Sequence, residues 1–186
     1  MYPTKIEVNG HYYDINTDYR TALACLKAIN DKTITDLERL YAIEGLLIDD
    51  PVPPEDEEIL KEKMAIYLRC GSEKNTSDEE IDMDYFKDEA IIKTSIRQCY
   101  HLNLNEIDYM HWWEYNELIS GLTNESVLSR TRELRTYDLN QIKDPVEREK
   151  MRKRKEYVSL DKEEDEELTK EQEESIKQFY KDIGRW

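Results

Sequence analysis

The residues of this chain best suited to metal or nucleophile chemistry are three histidines and three cysteines, and their spacing supports neither use. A structural zinc site needs a convergent set of ligands with recognisable spacing. His11, His101 and His111 stand apart, and Cys99-Tyr100-His101 contributes two ligands at most. Cys25, Cys70 and Cys99 are odd in number and widely separated, with no CxxC pair. That pattern argues for reduced, partly buried thiols and against a disulfide framework. A carboxylate-driven hydrolase would need two acids in contrasting environments, and 43 Asp and Glu residues leave no pair distinguished. There is no GxSxG elbow, no Gly-rich loop to cradle a phosphate, and no Cys–His pair at the spacing of a nucleophile and its base. The expectation is a non-catalytic protein with no metal and no cofactor.

The remaining candidates are contact residues. The triplet His111-Trp112-Trp113 can serve as an anchor, because Trp contributes large area at interfaces. Adjacent residues on a helix point in different directions, so one of Trp112 and Trp113 is expected in the core and the other at a partner surface. Near the end of the chain, Ile176, Phe179, Tyr180, Ile183 and Trp186 fall at helical spacing. Such a stripe, tethered by a polar segment, suits a groove on its own chain or on another.

Composition limits the partners. A net charge of -16 repels phosphate backbones and anionic lipid surfaces, so neither direct nucleic-acid binding nor a membrane partner is expected. The basic run Arg148 to Lys155 is the local exception. The acidic run beginning at Asp161 can pair with it, on the same chain or on another copy, and screen it from phosphate. No apolar stretch approaches the roughly 20 residues that span a bilayer, and Met1 to Gly10 lacks a basic region followed by an apolar one. A soluble, intracellular protein is the expectation.

The elements that must position these residues read as mainly α, with a short N-terminal β-hairpin. Ile6 and Val8 alternate with polar residues, Asn9-Gly10 supplies a tight turn, and Tyr12, Tyr13 and Ile15 continue the pattern. Thr17 or Asp18 caps a helix to about Ile29. Thr35 with Glu38 forms a capping box for a second helix with a broad apolar face, through Leu37, Leu40, Tyr41, Ile43, Leu47 and Ile48. A third helix starts near Pro54 and leaves at Gly71. A fourth is predicted over Asp84 to Tyr100, with Phe86, Ala90, Ile91 or Ile92, Ile96 and Cys99 inward. A fifth is predicted from an Asn105 cap through Ile107, Tyr109, Met110, Trp112, Trp113 and Ile119. A short sixth helix ends near Tyr137, and residues 146–157 favour a charged seventh. These elements group into a hairpin and helical core domain over residues 1–140 and a charged helical C-terminal extension over 141–186.

Several of these patterns occur together in an order that resembles the tail assembly chaperones of long-tailed bacteriophages and of prophages of Gram-positive bacteria. The resemblance rests on Ile6-Glu7-Val8-Asn9-Gly10-His11-Tyr12-Tyr13, on Thr17-Asp18-Tyr19-Arg20, on the His111-Trp112-Trp113 triplet between Tyr100 and Leu118, and on Arg132 to Leu139. It covers about residues 5 to 160. It implies a chaperone that keeps the long tape-measure protein soluble and helps recruit tail-tube subunits. Such a protein works in the cytoplasm of the bacterial host and is absent from the mature virion. A homo-oligomer is expected, because weak contacts repeated along a long client give avidity. With the aromatic candidates, Arg132 and Arg135 complete the expected partner-binding set: Trp112, Trp113, Arg132, Arg135, Phe179, Tyr180, Ile183 and Trp186. Two other readings stand beside this one. One is an acidic nucleic-acid mimic that inhibits a host defence protein, and the other is a permanent structural component of the virion.

Overall fold

A computed structural model of the chain describes residues 1–72 and 81–160. They are mainly helical, with a two-stranded antiparallel hairpin at the N-terminus. The described residues fall into two compact units, divided after residue 133.

In the first unit, β1 (Lys5–Val8) pairs with β2 (His11–Asp14), with Val8 opposite His11. Asn9 and Gly10 close the turn at φ values of 52° and 85°. These are the positive angles that a type I′ turn requires and that Asn and Gly tolerate best. Helix α1 (Tyr19–Asn30) is capped by the Asp18 carboxylate, which accepts from the Arg20 amide. Helix α2 (Asp36–Leu47) begins at the predicted Thr35/Glu38 capping box. Helix α3 (Glu57–Leu68) starts after a turn through Pro54 and ends where Cys70 and Gly71 adopt positive φ. Helices α4 (Glu89–Tyr100), α5 (Trp112–Ser120) and α6 (Val127–Thr136) follow.

The core lies where the hairpin and α1, α3, α4 and α5 meet. Val8, Ala22, Cys25, Leu60, Ile92, Ile96 and Leu128 are completely buried there, and Trp112 and Leu47 nearly so. Burying a side chain the size of Leu or Ile contributes about 1.5–3 kcal/mol, so this cluster is the main favourable term for the unit. Two polar links are built into it: the Leu128 amide donates to Ser95 Oγ at 2.9 Å, and the Tyr19 amide donates to the Met110 carbonyl at 2.9 Å.

The structure corrects two helix predictions. Helix α4 begins at Glu89, not Asp84. The Asp84 carboxylate accepts from the amides of Phe86 and Lys87, so it closes a turn before the helix. Phe86 and Ala90 consequently face outward, while Ile92 and Ile96 are buried. The second correction is larger: no helix runs through Asn105 to Met110. Asn103 Oδ1 accepts from the Asn105 amide, and the Arg20 guanidinium donates to the carbonyls of Leu104, Ile107 and Asp108. A long-range cation has taken the backbone acceptors that a helix would have used. Helix α5 instead starts at Trp112, with His111 as its cap.

In the second unit, a 3-10 turn at Leu139–Gln141 precedes α7 (Pro145–Tyr157). The Asp144 carboxylate accepts from the amides of Val146 and Glu147, and Pro145 occupies the first turn. No residue of α7 is buried.

Candidate partner-binding groove

Helix α2 carries apolar residues on nearly every side, which is the signature of a helix that needs more than one neighbour. Within its own chain only Leu47 is buried, while Leu37 is 58% and Tyr41 54% exposed. Leu40 and Ile43 are half-buried against the core. The unfilled side opens on a cleft of about 500 Å³. Ile29 at the end of α1, Leu37, Leu40 and Ile43 of α2, and Met64, Ala65 and Leu68 of α3 line it. Asp36, Arg39 and Lys61 are its polar residues. The cleft is therefore an apolar trough between helices with charges around it, a form suited to the apolar face of another helix.

Three local devices hold its walls. Arg39 is the first: its Nε donates to the Ala28 carbonyl at 3.2 Å, and its Nη2 donates to the carbonyls of Asp31 at 2.7 Å and Ile34 at 3.3 Å. It also pairs with Asp36. A guanidinium thus satisfies open carbonyls at the end of α1 and fixes the turn into α2. In that turn the Asp31 carboxylate accepts from the Thr33 hydroxyl and amide, which holds its pKa below the usual carboxylate range. Glu38 is similarly lowered by the amide and hydroxyl of Thr35 in the capping box.

The second device is Asp56, which precedes α3 and is completely buried. Its carboxylate accepts from Tyr13 Oη at 2.5 Å, from Asn9 Nδ2 at 2.7 Å and from His11 Nδ1 at 3.0 Å. Three residues of the hairpin thereby converge on one oxygen pair at the start of α3. These donors hold the Asp56 carboxyl down at about 2, with Tyr13 the largest cause. The same bond pushes the Tyr13 hydroxyl up to about 12.

The third device uses the predicted tryptophans. Trp112 is 1% exposed and its indole N–H donates to the Leu68 carbonyl at 3.0 Å. Trp113 is half-buried, and its indole N–H donates to the Tyr67 carbonyl, also at 3.0 Å. The two adjacent indoles thus satisfy successive carbonyls at the end of α3, where a helix leaves acceptors open. Trp113 also stacks on Tyr67 and lies against Gly71, where an added Cβ would meet its ring at 3.1 Å. His111 sets their direction. Its Nδ1 accepts from the Trp113 amide at 3.0 Å and its Nε2 donates to the Pro3 carbonyl at 2.9 Å, the pattern of a neutral imidazole.

The other predicted contact residues are dispersed. Arg132 pairs with Asp82 at 2.9 Å in the first unit. Arg135 donates to the Val158 carbonyl at 2.6 Å in the second. Phe179, Tyr180, Ile183 and Trp186 lie outside the described residues. Sequence reasoning overlooked Leu37, Tyr41, Arg39 and Asp56. For the first two the signal was partial, since the broad apolar face of that helix is wider than one neighbour covers. For Arg39 and Asp56 there was none, because the partners of each are set by tertiary structure.

No His, Cys, Asp or Glu cluster with metal-binding geometry occurs among the described residues. No helix among them is long and apolar enough to cross a membrane. Burial pushes the Cys25 thiol up to about 12 and the Cys70 thiol up to about 11, which leaves both in the weakly nucleophilic protonated form at neutral pH.

The described residues thus form a mainly helical protein with an N-terminal hairpin and an open apolar trough. The chain matches the family described as Bacteriophage Gp15 protein over residues 2–160, and it belongs to that phage family. No curated protein and no solved structure matches it.

Proposed function

We propose that this protein is a phage tail assembly chaperone that holds apolar helical segments of the tape-measure protein in the trough between α1, α2 and α3. The observation that carries the proposal is the trough itself, with Leu37 exposed at its lip beside an apolar floor. Membership of a phage family supplies the setting, and the helix-in-groove geometry supplies the chemistry.

One such groove gives only modest affinity, which suits the task. A long client offers many equivalent helical segments, so several copies of the chaperone coat it with avidity while each remains displaceable by tail-tube subunits. The chaperone then acts as a homo-oligomer or array in the host cytoplasm and leaves before the virion is complete. It acts without catalysis, metal or cofactor.

Co-expression with the tape-measure protein of the same phage tests the proposal. The expected result is a soluble, co-purifying client, lost when Leu37→Glu places a charge at the lip of the trough. An insoluble client and no complex would overturn it. Recovery of the chain in purified particles would favour a virion component, and salt-sensitive binding to a host nuclease would favour an acidic inhibitor.

A further inference from the structure

Helix α7 divides its cations between two uses. Arg148 donates to the Ile142 carbonyl at 2.9 and 2.7 Å, Lys155 donates to the Tyr137 carbonyl at 3.0 Å, and Arg152 pairs with Glu149 at 2.7 Å. These three are engaged locally. Lys150, Lys153 and Arg154 make no hydrogen bond or ion pair among the described residues. At helical spacing they share one side of α7 with Val146 and Tyr157, which are 63% and 80% exposed. One face of the helix therefore carries three cations without a side-chain hydrogen bond or ion pair, Lys153 acting on Glu149 only at longer range, framed by two exposed apolar side chains.

Immediately after this helix the sequence reverses sign. Nine carboxylates lie between Asp161 and Glu174, against Lys162 and Lys170 alone. Those residues lie outside the described part of the chain. We propose that the outward face of α7 is an acceptor for acidic peptide and that its occupant is residues 161–174 of the same chain.

Charge complementarity and proximity carry the assignment. Lys150 lies about 10 Å back along the helix from Tyr157 at 1.5 Å per residue, a distance that three or four extended residues cover. A ligand tethered this closely has an effective concentration in the millimolar range, so individually weak surface pairs suffice. The occupied face is closed to other polyanions, nucleic acid included, and the whole contact weakens with salt. This face shares no residue with the trough and does not depend on the chaperone reading.

Zero-length carbodiimide coupling of the full chain tests the inference, because it joins a lysine amine to a carboxylate only where the two touch, with loss of water. An equal mixture of ¹⁵N-labelled and unlabelled protein separates contacts within a copy from contacts between copies. The expected products join Lys150 and Lys153 to carboxylates of 161–174 within one copy, and they fall at least several-fold in 1 M salt. Coupling spread evenly over Lys143, Lys150, Lys153 and Lys155 would overturn the inference. Products joining a labelled peptide to an unlabelled one, at the level that random pairing of copies gives, would also overturn it, in favour of a second copy as occupant.

Discussion

Two sides of α3 show opposite treatments of side chains that water would otherwise compete for. Where α3 meets the hairpin and α5, polar groups turn inward: Asp56 collects three donors from the hairpin, and two indoles close the carbonyls of Tyr67 and Leu68. Where α3 faces α2, the trough is lined mostly by apolar groups, and Leu37 and Ile29 among them remain substantially exposed. The first arrangement fixes geometry, because a buried charge is tolerated only with its partners in place. The second leaves apolar area whose burial contributes free energy only when something else covers it. The proposed chaperone role, holding a client and then releasing it, would use both, a rigid frame and an uncovered face.

The comparison predicts that substitutions at the frame alter stability and substitutions at the lip alter binding. Trp112→Ala gives the largest effect. It removes a buried aromatic and exposes the Leu68 carbonyl to an apolar cavity, and a loss of about 3–5 kcal/mol in denaturant unfolding is expected. Asp56→Asn comes next and sharpens the pH dependence. The Asp56 carboxyl is held at about 2 against an ordinary 3.8, so its contribution is complete above about pH 4 and disappears as pH falls toward 2. Tyr13 is raised from 10.0 to about 12, so its contribution is complete below pH 10 and disappears as pH rises toward 12. Melting temperature followed against pH therefore shows an acid limb in the native chain that is shallower in Asp56→Asn. An unchanged acid limb would show that the three hairpin donors do not hold this carboxylate.

Gly71→Ala is a smaller break of the same frame. It forces a residue with a Cβ into φ +86° and 3.1 Å from the Trp113 ring, and a cost of about 1–2 kcal/mol is expected. Leu37→Glu lies at the other extreme. At an exposed position it shifts unfolding free energy by no more than about 0.5 kcal/mol, yet it abolishes client binding. Equal losses of stability and binding in that variant would erase the distinction between frame and lip.

How much of this was legible in the sequence follows the range of the interactions. The hairpin turn at Asn9-Gly10, the Thr35/Glu38 capping box, the Pro145 start of α7 and the exit of α3 near Gly71 are local chemistry, and they stand where the residues place them. The Asn105 helix failed because Arg20, far away in sequence, captures the carbonyls of that stretch. The start of α4 failed because an Asp that reads as helix-compatible closes a turn instead. At the site, the sequence singled out both tryptophans, but their shared task on the end of α3 depends on a backbone contact across the fold. The trough was visible only as an excess of apolar residues on α2; its other wall came from α3, which no periodicity links to it.

Hydrogen–deuterium exchange of the full chain, alone and in complex with the tape-measure protein, tests the central claim most directly. The account predicts new protection confined to peptides covering residues 29–43 and 61–68, with the hairpin and α5 unchanged. Protection centred on another face, with those two segments exchanging as in the free protein, would contradict it.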